Sequence, residues 1–213
     1  STLLQHILCS NPMIAGYGET HWTYSELSDM TAVASRIARK SGVPKIGGYF
    51  MDKIVHAKLI ADHSIFEYPH LKVVFLIREP SAALSSLLRM EGIQKPKEAY
   101  NHYRKQLEWI KNICHYISKD NLFYTTYGNI INDSEKVLAN LSNFLKLNSP
   151  LSSSYQVSET TGQFGVGDPS SNIHEGKIQN KINKRTNPKV KAYLDSANTD
   201  YKSCLSVLAS IEK

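Results

Sequence analysis

The stretch Leu71-Lys72-Val73-Val74-Phe75-Leu76-Ile77 runs straight into Arg78-Glu79-Pro80. The first seven residues are a short, apolar, β-branched run, the pattern of a strand buried on both faces of a parallel sheet. Arg78 leaves the end of that strand, where ligands bind in open α/β sheets. Pro80 suits the first turn of a helix, with Leu84, Leu87 and Leu88 as its apolar stripe. A guanidinium so placed can clasp a phosphate through two parallel hydrogen bonds. The N-terminus of the following helix offers its amides to the same anion. Ser86, eight residues after Arg78, can add a hydroxyl. Taken alone, the arginine reads more readily as a strand-end cation paired with a nearby carboxylate, because structural ion pairs are common.

Outward from this stretch, helices and strands alternate. Residues 2–9 read as a helix. Thr23-Tyr24-Ser25-Glu26 predicts a capping box opening a helix with Leu27, Met30, Val33, Ala34, Ile37 and Ala38 on one face, ending near Gly42. Residues 47–51 predict a short strand. A longer helix starts near Pro96, with Tyr103, Leu107, Ile110, Cys114 and Ile117 at helical spacing. Residues 121–126 read as a strand. Asn132 with Glu135 predicts the cap of a helix burying Val137, Leu138, Leu141, Phe144 and Leu145. Residues 149–187 are polar and read as long loops, a length that usually marks function or disorder. Pro188 opens a last helix bearing Val190, Leu194, Tyr201, Leu205 and Leu208. The expected fold is α/β, a parallel sheet flanked by helices. With no repeat and no linker, 1–213 is expected to form a single domain.

Composition narrows the function classes. Apolar residues make up 41% and charged residues 21%, which suits a globular chain with its own core. No apolar run approaches the roughly 18 residues of a membrane span. Cys9, Cys114 and Cys204 are odd in number and far apart, so they predict buried thiols in a reducing compartment. They form no CxxC or Cys/His pattern, so no metal site is expected. The opening shows no signal peptide, and a cytoplasmic location is expected. The net charge of +6 favours an anionic partner. Apart from residues 177–191, the cations do not cluster with aromatics along one element, and no nucleic-acid partner is predicted.

Four segments, in order, resemble the sulfotransferase family, which uses 3′-phosphoadenosine 5′-phosphosulfate (PAPS) and releases the 3′,5′-bisphosphate (PAP). Ser1-Thr2-Leu3-Leu4-Gln5 is similar to the end of the family's 5′-phosphosulfate loop. Gly18-Glu19-Thr20-His21 resembles the acidic segment after the first helix. Arg78-Glu79-Pro80 with Ser86 resembles the arginine–serine pair that holds the 3′-phosphate. Residues 122–147 resemble the strand, tyrosine and capped helix that close the nucleotide site. Gly165-Val166-Gly167-Asp168-Pro169 with Gly176-Lys177-Ile178 resembles C-terminal loops of some relatives.

The resemblance implies a P-loop-like parallel sheet of the sulfotransferase type. It also implies that the chain opens inside the phosphosulfate loop, N-terminally truncated, with the first strand missing. A chain beginning there is expected to bind donor weakly, because backbone amides of that loop cradle the phosphosulfate. A second departure is Gly128-Asn129 after Tyr127, where relatives carry Glu-Asp.

Residue by residue, the resemblance implies Glu19 as general base and Lys53 as the cation on the oxygen bridging sulfate and phosphate. The ordinary alternatives are a solvated carboxylate and a surface lysine paired with Asp52. His21 and His56 are alternative bases. Ser1, Thr2 and Leu3 would meet the 5′-phosphosulfate, though N-capping asks for the same residue types. Tyr127 would meet adenine or fill the core, and Gly167 and Asp168 would shape a loop over the nucleotide or a plain turn. Lys177, Lys181, Lys184 and Arg185 read as a solvated face that can also draw in anions.

The acceptor would be a small-molecule or carrier-bound hydroxyl. Two other readings remain open on sequence: a P-loop kinase, whose loop would lie upstream, and a non-catalytic nucleotide-binding or interaction module.

Overall fold

The structure is a computed structural model, which describes residues 1–89, 92–157, 171–179 and 187–211. The chain divides into two compact units, Ser1–His70 with Asn129–Asn180, and Leu71–Gly128 with Lys181–Lys213.

In the first unit, α1 (Thr2–Cys9) buries every residue from Thr2 to Leu8. A helix buried all round needs apolar residues on every face, and Leu3, Leu4, Ile7 and Leu8 supply them. The chain then enters β1 (Ile14–Ala15), which pairs in parallel with β2 (Tyr49–Phe50). Between them, α2 (Ser28–Ser41) presents Val33 and Ile37, four residues apart, to the core.

The expected capping box at Thr23–Glu26 does not form. Tyr24 is held in a parallel bridge with Ile60, so the helix cannot start there. Instead Asp29, in the first turn of α2, reaches back to accept from the Ser25 and Glu26 amides at 2.7 and 3.0 Å. The cap thus comes from inside the helix. Those amides, with the Trp22 indole, hold the Asp29 carboxyl below the usual carboxylate range.

Further along, α6 (Ser134–Phe144) buries Leu138 and Leu141 as its periodicity predicts. Its N-cap is Asp133, without a side-chain cap, rather than the predicted Asn132. The 149–187 stretch includes order of its own. Ser154 bridges Lys177 in antiparallel fashion, and a 3-10 turn spans Ser171–Glu175.

In the second unit, β3 (Val73–Ile77) and β4 (Leu122–Thr126) pair in parallel, Val73 against Leu122 through to Ile77 against Thr126. Phe75 and Ile77 are buried while Val73, Val74 and Leu76 are half-buried, so β3 alternates rather than burying both faces evenly. The crossover is helical: α3 (Pro80–Leu87), opened by proline as expected, then α4 (Pro96–Ile113). Leu84 is completely buried.

After β4 the chain turns at once into α5 (Tyr127–Asn132). Pro188 opens a 3-10 turn, Pro188–Tyr193, and the α-helix proper, α7 (Leu194–Ile211), begins later than predicted. Helix α7 packs on α4, burying Leu107, Ala197, Cys204 and Leu208. Parallel strands joined by helical crossovers make this an α/β fold, as the alternation predicts.

Candidate functional site

The residues singled out from sequence fall into two clusters, one in each unit. The first surrounds Glu19. Lys53 Nζ lies 3.0 Å from Glu19 Oε1, with the two side chains only 11% and 18% exposed. Lys53 is therefore no surface partner of Asp52, the ordinary expectation for it. His21 Nδ1 is 3.9 Å from Glu19 Oε2, but its side chain is 60% exposed. His21 has a φ of 55°, so the chain turns left-handed immediately after the Glu19–Thr20 pair. His56 makes no hydrogen bond or ion pair to Glu19 among the described residues. It precedes the 3-10 turn Ala57–Leu59 in extended backbone.

Asp52 does something else, and nothing in the local sequence signals it. Its Oδ1 accepts from the Thr20 amide at 2.9 Å. Its Oδ2 accepts from the Thr20 hydroxyl at 2.7 Å and the Tyr24 hydroxyl at 2.8 Å. The Thr20 hydroxyl in turn accepts from the Trp22 amide at 3.2 Å. Asp52 thus pins the 18–24 loop, which carries Glu19, beside the segment that carries Lys53. A hydrogen-bonded carboxylate of this kind gives each donor a charge-assisted bond. Burial first, then the Asp52 charge, pushes the Tyr24 hydroxyl well above its ordinary value, so it stays a donor. The partners lie 28 to 32 residues from Asp52, beyond any local spacing rule.

Helix α1 contributes Ser1, Thr2 and Leu3. Ser1 sits at the N-cap without a side-chain capping bond, while its carbonyl accepts from the Gln5 amide at 3.0 Å. Ordinary N-capping is therefore not what the Ser1 hydroxyl does. Thr2 and Leu3 are buried in the first turn. One turn further on, His6 is 2% exposed and stacks on Tyr155 with ring centroids 5.7 Å apart. Burial holds its imidazole below the ordinary value; a hydrogen bond involving the Gln156 backbone opposes this, and Lys53 and His174 reinforce it. Cys9 follows, its thiol pushed up to about 12 by burial, so it is no nucleophile at neutral pH.

The second cluster is built on Arg78. Its backbone carbonyl accepts from the Tyr103 hydroxyl at 2.7 Å, which fixes the strand end. Its guanidinium lies over the Tyr127 ring, 4.8 Å from the centroid. Its Nε is buried and has no hydrogen-bond partner. Among the described residues no carboxylate lies within ion-pair distance of it. Among those residues, then, Arg78 makes no strand-end ion pair. A buried donor without a partner costs free energy unless an anion satisfies it, so the guanidinium fits a phosphate. Ser86 is half-buried in α3, and its neighbour Ser85 accepts from the Asn187 amide at 3.1 Å.

Glu79 explains the departure at Gly128. Glu79 Oε1 accepts from the Gly128 amide at 2.9 Å. A Cβ on residue 128 would stand 2.4 Å from that oxygen. The carboxylate stands where a side chain there would go, so a larger residue would make Glu79 swing aside and give up this bond. Gly167, Asp168, Lys181, Lys184 and Arg185 lie outside the described residues. Lys177 is described, in its bridge with Ser154. No group of three or more His, Cys, Asp or Glu among the described residues is arranged to hold a metal ion.

Comparison with known proteins adds to this geometry. A solved structure, the sulfotransferase domain from the curacin biosynthetic pathway, is similar in fold, with a TM-score of 0.58 over 92% of each chain at 14% identity. No curated protein matches the chain. The model of the sulfotransferase family matches residues 31–150. That span covers more than half of the chain and includes Lys53, Arg78, Ser86 and Tyr127, and by it the chain belongs to the sulfotransferase family.

Proposed function

We propose that this protein moves a sulfuryl group from PAPS to the hydroxyl of a small-molecule or carrier-bound acceptor by in-line displacement. The observation that carries the reading is Arg78, a guanidinium braced on Tyr127 with a buried Nε that has no hydrogen-bond partner among the described residues. The donor, when bound, supplies an activated sulfuryl group and a phosphate leaving group. Arg78 and Ser86 would hold its 3′-phosphate, by two-pronged hydrogen bonding and a hydroxyl. Amides at the start of α1, from Ser1, Thr2 and Leu3, would meet its 5′ end, where a helix N-terminus favours anions. Tyr127 gives one face to Arg78 and is the candidate to meet adenine.

Glu19 would take the proton of the acceptor hydroxyl onto a carboxylate oxygen as that hydroxyl attacks. Lys53, already 3.0 Å from Glu19, would offset charge on the bridging oxygen. The histidines rank lower: His21 is mostly exposed, and His56 makes no hydrogen bond or ion pair with this pair among the described residues. Family membership counts against the kinase reading.

Calorimetric titration with PAP tests the proposal. Saturable 1:1 binding that Arg78→Ala weakens supports it, and equal affinity of the two proteins would remove the 3′-phosphate assignment. PAP binding with no sulfuryl transfer to any hydroxyl acceptor would favour a non-catalytic nucleotide-binding module.

A further inference from the structure

One segment of the first unit carries a feature that the proposed chemistry does not use. Between Asp29 and Asp52 the chain has no acidic residue, yet it holds Arg36, Arg39, Lys40 and Lys45, all exposed. Arg36 and Arg39, three residues apart, lie side by side on α2 along the flank of the stripe that buries Val33 and Ile37, while Lys40 stands next to that stripe with its Nζ 4.0 Å over the Tyr17 ring. The helix ends before Gly42, and the turn that follows puts its apolar residues outward. Ile46 is 100% exposed and Val43 76% exposed, and Phe50 just beyond is 40% exposed.

This presentation is built rather than slack. The Lys45 amide donates to the Pro12 carbonyl at 3.0 Å, and the Tyr49 amide donates to the Met13 carbonyl at 2.7 Å. Between them, the Gly48 amide closes on the Lys45 carbonyl at 2.9 Å, and Gly47 has a φ of 80°. That is the pattern of a type II turn, with glycine at its third position and Ile46 at the apex. The apex usually goes to proline or a polar residue. Here it goes to a large aliphatic with no neighbour shielding it.

We propose that the 42–48 turn is a membrane-docking tip. Val43 and Ile46 enter the interfacial layer of an anionic bilayer, while Arg36, Arg39 and Lys45 meet its headgroups. Such binding grows with buried apolar area plus attraction between basic residues and anionic lipid, and the segment offers both. Charge complementarity favours this occupant, and so does the shape of the tip. An apolar anchor in a protein interface needs surrounding contacts to exclude water. A wholly exposed apex lacks such a surround, and a bilayer supplies one itself. The inference concerns how the protein is recruited and stands apart from the chemistry proposed for Glu19 and Arg78.

Flotation of the purified protein with phosphatidylcholine vesicles, with and without phosphatidylserine, tests it. The expected result is binding only to the serine-containing vesicles. Ile46→Asp should lower that binding about 10-fold or more. The double variant Arg39→Glu with Lys45→Glu should lower it by a comparable factor. Both variants should keep the parent thermal midpoint, because these side chains are exposed. Ile46→Trp should show a blue-shifted emission on adding the same vesicles. The proposal is overturned by absence of flotation, or by equal flotation of the Ile46→Asp and Val43→Asp variants. Flotation lost in the charge-reversal variant with unmoved Ile46→Trp emission would mean adsorption without insertion, and would also overturn it. Retention on immobilised polyglutamate that Ile46→Asp abolishes, with no vesicle binding, would reassign the tip to an acidic protein.

Discussion

The Glu19 and Arg78 clusters handle charge in opposite ways. In the first unit every charge of interest has a partner within the chain: Lys53 on Glu19, and Thr20 and Tyr24 on Asp52. In the second, the guanidinium of Arg78 is braced by an aromatic ring but given no anion among the described residues. A closed set of charges suits groups that must be held ready and exchange protons. An open one suits groups that grip a ligand, because the ligand then completes bonds the protein lacks. The two clusters should therefore respond differently to mutation, one mainly in turnover and the other mainly in affinity.

The largest expected effect is on turnover. Glu19→Gln should lower kcat by roughly 10²–10⁴ if the carboxylate takes the acceptor proton. Steady-state rates with PAP affinity measured alongside check this, and an unchanged kcat would leave Glu19 with a structural role alone. Next comes affinity. Arg78→Ala should weaken PAP binding by about 1.5–3 kcal/mol per charge-assisted bond lost, while leaving thermal stability level or slightly higher. Loss of stability instead would mean that Arg78 is a structural cation, and the contrast between the clusters would collapse.

A third effect sharpens the account of Gly128. Gly128→Ala should destabilise the fold by about 1–3 kcal/mol through the clash with Glu79. Denaturant melts of a double-mutant cycle with Glu79→Ala should show most of that cost removed, the sign of direct coupling. Asp52→Asn should cost about 1–3 kcal/mol and lower kcat more than it raises KM, since it loosens the loop under Glu19 rather than a binding contact.

The smallest effect is one of pH. Burial holds His6 below its ordinary value, so between the folded and unfolded values the unfolded chain binds more protons. Stability from this group is full above about pH 6.5 and erodes as pH falls below it. Thermal midpoints taken from pH 7.5 downward should decline, and His6→Gln should flatten that decline.

Much of the fold could be read from the chain. Helix α1, the 71–77 strand, proline-started α3 and α4, and the strand before Tyr127 rest on periodicity and on proline, which act within a few residues. The two capping boxes did not form, for a local and a distant reason. Asn132 lost its place to Asp133 next door, and Thr23 to a bridge between Tyr24 and Ile60. Propensity near a helix start is worth about 1 kcal/mol, too little to overrule such pairing.

By itself the sequence determined most of the longer helices and the strands at 71–77 and 121–126, that a parallel sheet was expected, and that Arg78 stands at a strand end. These follow from spacing of apolar residues and from glycine and proline, properties each segment carries alone. Only the tertiary structure decided that Lys53 pairs with Glu19 rather than Asp52, that Asp52 ties down the 18–24 loop, and that Arg78 meets no carboxylate among the described residues. Those outcomes depend on side chains brought together from about 30 to 50 residues apart, or on an absence of neighbours. The physical reason is that a charge has no preferred partner until folding sets its distances, whereas a hydrophobic repeat has its period from the start.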